Sequence, residues 1–158
     1  MILYAAIGAL LAFLGGIAYF STFDIPELEK SEIDLLSVDV VEIDSIENRI
    51  TLNVAFGITN HSERTVTVPE IGFELFANGI SLGSSSYSTS DIPMTGRALM
   101  IPGLQVALTA GMTVNLTDDI KDVYEAIAYG ESVEYRANGQ YTIESAWQVI
   151  DIKFDSSL

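Results

Sequence analysis

The sequence predicts an all-β protein: an antiparallel β-sandwich with one short helix, preceded by a single N-terminal transmembrane helix. Three observations predict it. Residues 1–23 hold no charged side chain, and every charge falls from Asp24 onward. From residue 33, apolar and polar residues alternate with a period of two, broken by Gly, Asn and Ser clusters, which is the mark of half-buried strands joined by turns. Only Asp118–Tyr129 shows a helical period in the body of the chain.

The N-terminal element comes first. Ile2 to Phe20 is an apolar run of 19 residues, about 28 Å long as a helix at 1.5 Å per residue. A bilayer hydrocarbon core is about 30 Å thick. Tyr19, Phe20 and Phe23 suit an interface, and Asp24 and Pro26 follow. A cleaved leader would need a basic start and small residues at its exit. This run has no Lys or Arg before it and ends Ile17-Ala18-Tyr19-Phe20-Ser21. The expectation is an anchor over 1–23, a charged juxtamembrane linker over 24–32 and a sandwich domain over 33–158. Small residues recur at spacing four, pairing Ala5 with Ala9, Gly8 with Ala12 and Ala12 with Gly16. Such faces let helices approach closely, so Ala5, Gly8, Ala9, Ala12 and Gly16 are candidate helix-packing residues.

The body then reads in order. Ile33, Leu35, Val38, Val40 and Ile43 suggest a strand with one irregularity. Ile50, Leu52, Val54, Phe56 and Ile58 mark a cleaner strand ending in the turn Asn60-His61-Ser62-Glu63. Val66 and Val68 restart the pattern, and Ile71, Phe73 and Leu75 run into Asn78-Gly79, with Ile80 and Leu82 beyond: a type I′ hairpin, because both central residues need positive φ. Gly83–Asp91, rich in Ser and Thr, reads as a loop or an edge strand, and Met94–Gly103 carries no clear pattern. Strands are expected at Gln105–Thr109 and Thr113–Leu116. Ile120, Val123, Tyr124, Ile127 and Ala128 form one helical stripe, capped by Thr117 or Asp118 and stopped by Gly130. A second hairpin is expected at Asn138-Gly139, and a last strand over Trp147, Val149, Ile150, Ile152 and Phe154. Seven or eight short strands of this kind suit two facing sheets.

Composition narrows the chemistry. The chain has 158 residues, a net charge of −15, no Cys and one His. Such acidity cannot neutralise phosphates, so no nucleic acid partner is expected. The absence of Cys excludes disulfides, thiolate metal sites and a cysteine nucleophile. His61 falls in a turn and reads as a solvated side chain, and no Gly-x-Ser-x-Gly elbow is present. Asp118, Asp119 and Asp122 lack calcium-loop spacing and read as helix-start acids, while Glu42, Asp44 and Glu47 read as a solvated turn. Trp147, the one Trp, reads as core. No catalytic, cofactor-binding or metal site is expected. The sequons Asn60-His61-Ser62 and Asn115-Leu116-Thr117 make Asn60 and Asn115 candidate glycosylation sites.

Residues 52–60 (LNVAFGITN), 73–83 (FELFANGISLG), 118–127 (DDIKDVYEAI) and 133–139 (VEYRANG) together resemble the late embryogenesis abundant type 2 family, also called the water stress and hypersensitive response (WHy) domain. The likeness covers about 33–155. These are packing and turn motifs, and the family's Pro after the Asn is His61 here. The resemblance implies a fibronectin type III-like sandwich with one helix, no transferable catalytic set, and a link to stress and desiccation protection. The functional expectation is a non-enzymatic, membrane-anchored interaction module. It would be single-pass in the cell membrane, with the lipid bilayer as partner and the C-terminal domain outside. The alternative is a structural or accessory subunit of a larger membrane complex or surface filament. Its N-terminal helix would pack against membrane-protein subunits or copies of itself.

Overall fold

The structure, a computed structural model, describes residues 2–21, 25–90 and 97–158, with side chains of the first helix described over 4–19. Its strands are β1 (Ser31–Asp44), β2 (Arg49–Asn60), β3 (Val66–Ala77), β4 (Ile80–Ser88), β5 (Leu99–Met100), β6 (Gln105–Asn115), β7 (Tyr135–Glu144) and β8 (Val149–Ser157). Helices α1 (Ile2–Ser21) and α2 (Ile25–Leu28) precede them, and a 3₁₀ turn (Asp118–Ile120) runs into α3 (Lys121–Ala128) between β6 and β7. One sheet has the order β1-β2-β6. The other has the order β4-β3-β7-β8, with β5 pairing to β3. Every described pairing is antiparallel. This is an all-β antiparallel sandwich with short helices.

Alternation builds its core. Ile50, Leu52, Val54, Phe56 and Ile58 of β2 are buried, as are Ile71, Phe73 and Leu75 of β3 across from them. Phe56 meets Phe73 edge-on at 4.9 Å between ring centroids and Phe154 at 5.6 Å, a geometry favoured by the ring quadrupoles. Val123, Tyr124 and Ile127 of α3 are buried, so its stripe faces the core as its periodicity predicts. Leu28 of α2 is 1% exposed, so the charged linker belongs in part to the sandwich.

Tyr141 links the layers. Its ring lies 6.1 Å from Phe154, and its hydroxyl donates to the Ser31 carbonyl oxygen at 3.0 Å. Burial pushes its phenol up, partly opposed by the hydrogen bond to Ser31, and burial pushes Tyr87 and Tyr135 up as well. A raised folded pKa means this stabilisation is complete below the ordinary tyrosine value of 10.0 and is lost as pH climbs through the folded values. The chain is therefore expected to unfold progressively above pH 10, with a smaller alkaline loss in Tyr141→Phe. Far-ultraviolet circular dichroism against pH checks this, and an unchanged Tyr141→Phe profile contradicts it.

Four expectations need correction. First, α1 forms, but among the described residues no helix is long and apolar enough to cross a membrane. This finding overturns the transmembrane anchor over 1–23, the single-pass cell-membrane location with an exterior domain, and the lipid bilayer as partner. The expected interfacial side chains Phe20 and Phe23, and Asp24, lie outside the described side chains. Second, β7 runs straight through Asn138-Gly139 instead of turning. Asn78 (φ 50°) and Gly79 (φ 80°) do adopt the left-handed hairpin conformation, whereas Asn138 and Gly139 do not. Third, the strands expected at Gln105–Thr109 and Thr113–Leu116 are one strand, β6, continuous through Gly111. Fourth, Trp147 is 72% exposed on the β7–β8 turn. There Ser145 Oγ accepts from the Trp147 and Gln148 amides at 3.3 and 3.1 Å, and the Ser145 amide donates to the Gln148 carbonyl oxygen at 2.8 Å. The Ser-rich stretch is the edge strand β4 up to Ser88, while Asp91 and 94–96 lie outside the described residues.

Candidate functional site

The chain's best-built polar cluster surrounds Asn60. This residue ends β2 and is 1% exposed. Its Nδ2 donates to the carbonyl oxygens of Arg64 at 2.6 Å and Met100 at 2.8 Å. Its Oδ1 accepts from the Ser62 amide at 3.0 Å and the Ser62 hydroxyl at 2.7 Å. Its backbone carbonyl accepts from the Gly103 amide at 2.8 Å, while the neighbouring His61 amide donates to the Lys30 carbonyl at 3.2 Å. One side chain thus fastens the β2–β3 turn to the segment after β5, and the adjoining backbone holds the entry to β1. All donors and acceptors are satisfied, as burial requires. A sugar can reach Nδ2 only before this pocket closes. Asn115 is exposed at the end of β6.

The remaining candidates do not converge on a reaction centre. His61 is half-exposed and lies 3.4 Å from the exposed Glu32 carboxylate. Asp118, Asp119 and Asp122 are exposed around the start of α3, and among the described residues no group of His, Cys, Asp or Glu could hold a metal ion. In the β1–β2 turn, Asp44 accepts from the Glu47 and Ile46 amides, both at 3.0 Å, and faces Arg49 at 3.4 Å. Those amides, with Glu47 the larger influence and Arg49 the smallest, hold the Asp44 carboxyl below its ordinary value. The acidic turn is a self-capped loop end, with Ile46 almost fully exposed at its tip.

Among the described residues, the N-terminal helix is the least covered apolar surface. Tyr4, Leu10, Leu11 and Phe13 are all more than half exposed. Ala5, Gly8, Ala9 and Ala12 are exposed and Gly16 is partly so, and a Cβ built at Gly8 or Gly16 would meet nothing within 4 Å. The structure leaves the small-residue face with open space beside it. Sequence reading missed the exposure of Trp147, since an apolar aromatic next to a strand looks like core until the turn is seen.

No protein-family model and no curated protein matches the chain. Solved structures do. A structural-genomics target protein solved by X-ray crystallography aligns over 83% of this chain and 87% of its own, at TM-score 0.53 and 11% identity. A candidate ApaA protein from Bordetella pertussis aligns over 81% and 91%, at TM-score 0.50 and 11% identity. The likeness is one of fold. A candidate late embryogenesis abundant protein studied in solution aligns over 98% and 84%, at TM-score 0.43 and 14% identity.

Proposed function

We propose that the chain is a non-enzymatic β-sandwich interaction module, an accessory or structural subunit of a larger assembly or surface filament that packs through its N-terminal helix. The observation that carries this reading is α1 itself. A helix apolar on every side is stable only when other apolar surface surrounds it, and its described large side chains are largely uncovered. Ala5, Gly8, Ala9, Ala12 and Gly16 supply the face along which a second helix approaches. The sandwich, with a net charge of −15 on the whole chain, acts as a highly soluble head. The resemblance of 52–60 and 73–83 to the late embryogenesis abundant type 2 pattern supports an interaction role over a catalytic one, and carries the link to stress protection.

The test is site-specific photocrosslinking of the full chain in its native setting. A photoreactive residue at Gly8 or Ala12 is expected to yield a discrete protein adduct, of this chain or another. The same residue at the exposed Glu131, near α3, is expected to yield none. No adduct at either helix position, or lipid adducts alone, overturns the reading.

A further inference from the structure

The outer face of the five-stranded sheet holds a feature that folding does not require. Gly72 lies mid-strand in β3, paired with Ser86 of β4 on one side and Gln140 of β7 on the other. Its φ is not positive, and a Cβ there would touch only the Gln140 carbonyl oxygen at 4.0 Å, an ordinary contact. A side chain would fit. Glycine inside a strand weakens it, and where geometry does not demand glycine, close approach of another group is the usual reason. Gly139 lies diagonally across on β7, paired with Phe73, and is a glycine because the β3 backbone leaves no room for a Cβ there. Gly72 therefore carries the argument: it leaves bare backbone in the floor of an open trough of about 610 Å³.

The rim is equally specific. Glu74, Asn138, Gln140 and Lys153 line the trough from three strands. The Glu74 carboxylate is oriented by the Ser81 hydroxyl at 2.5 Å. The side chains of Asn138, Gln140 and Lys153 engage no other described side chain, leaving two amides and an ammonium open. We infer that this trough binds a neutral saccharide. Two amides that both donate and accept, one fixed acceptor and one donor match vicinal hydroxyl groups, which also do both. The flat glycine floor admits the C–H face of a sugar ring. An anion is disfavoured by Glu74 and by the chain's net charge of −15. A strand-like peptide is disfavoured because β3 and β7 are already paired on both edges.

The experiment uses the full chain, ¹⁵N-labelled, titrated with maltotriose and with cellotriose. Saturable shifts confined to the amides around Gly72, Gly139 and Gln140 are expected with at least one of them. Gly72→Val, which adds a β-branched side chain where a Cβ makes only an ordinary contact, is expected to keep the melting temperature at or above that of the parent while weakening binding about tenfold or more. The exposed rim variants Gln140→Ala and Lys153→Ala, which leave the fold untouched, are expected to weaken binding as well, and they decide the matter if Gly72→Val does not fold. No saturable shift with either sugar, shifts centred elsewhere, or rim variants that bind like the parent overturn the inference.

Discussion

Gly139→Ala is expected to be the most damaging single substitution in the sandwich, lowering stability by about 3 kcal/mol or more. A Cβ at this position would lie 2.0 Å from the Gly72 carbonyl oxygen and 2.8 Å from the Phe73 Cα. Both are backbone atoms of β3, so no rotamer change relieves the clash. One of the two central strands of the five-stranded sheet must move, and with it the register from Thr67↔Glu144 to Ala77↔Tyr135. Gly72→Ala, whose Cβ would meet only the Gln140 carbonyl oxygen at an ordinary 4.0 Å, is the matched control and is expected to change stability little. Urea denaturation of both variants checks the pair. Equal midpoints would mean that the close approach at Gly139 is not what the strand depends on.

Asn60→Ala comes next. The substitution deletes four side-chain hydrogen bonds at once and leaves the Met100 and Arg64 carbonyls and the Ser62 amide to find other partners. A lost bond costs about 1 kcal/mol net, and each polar group stranded inside costs about 1–3 kcal/mol. Since Arg64 is exposed and its carbonyl can turn to water, whereas Ser62 and Met100 are buried, a total of about 3–4 kcal/mol is expected. Asn60→Asp is the sharper variant. It keeps the acceptor for Ser62 but sets a second oxygen against two carbonyl oxygens, so it is expected to be no more stable than the alanine. Denaturation midpoints measure the loss, and amide exchange should place the opening at residues 61–64 and 99–104. An aspartate variant as stable as the parent would contradict the latch.

These two residues also show how far the sequence alone reaches. Alternation named the core of β2 and β3, because a period of two is a local property that burial of one face reads directly. The stripe of α3 was legible for the same reason. Asn-Gly was not. The dipeptide turns at 78–79 and runs straight at 138–139, and nothing within either pair distinguishes them. The difference is the neighbouring strand: β7 approaches the backbone of β3 so closely that its glycine serves as clearance. Such a contact joins residues far apart in sequence. Asn60 was legible as a turn residue but not as a buried latch, since its partners at Arg64 and Met100 come from separate segments. Gly111 within β6 and Pro69 within β3 look like breaks. β6 nevertheless pairs β2 through Gly111, and β3 absorbs Pro69 at a register shift against β7 between Thr67 and Glu70. The N-terminal run was legible as an apolar helix, and its surroundings were not.

The placement of the lone indole has an optical corollary. Trp147 stands in water on a tight turn while the hydrophobic interior is made of Phe, Tyr and aliphatic groups. Its emission in the native protein is that of a hydrated ring, so denaturing the chain changes its colour little, and fluorescence is a poor gauge of folding here. The same emission becomes a clean beacon for docking, since any molecule that dries this turn must shift it to the blue.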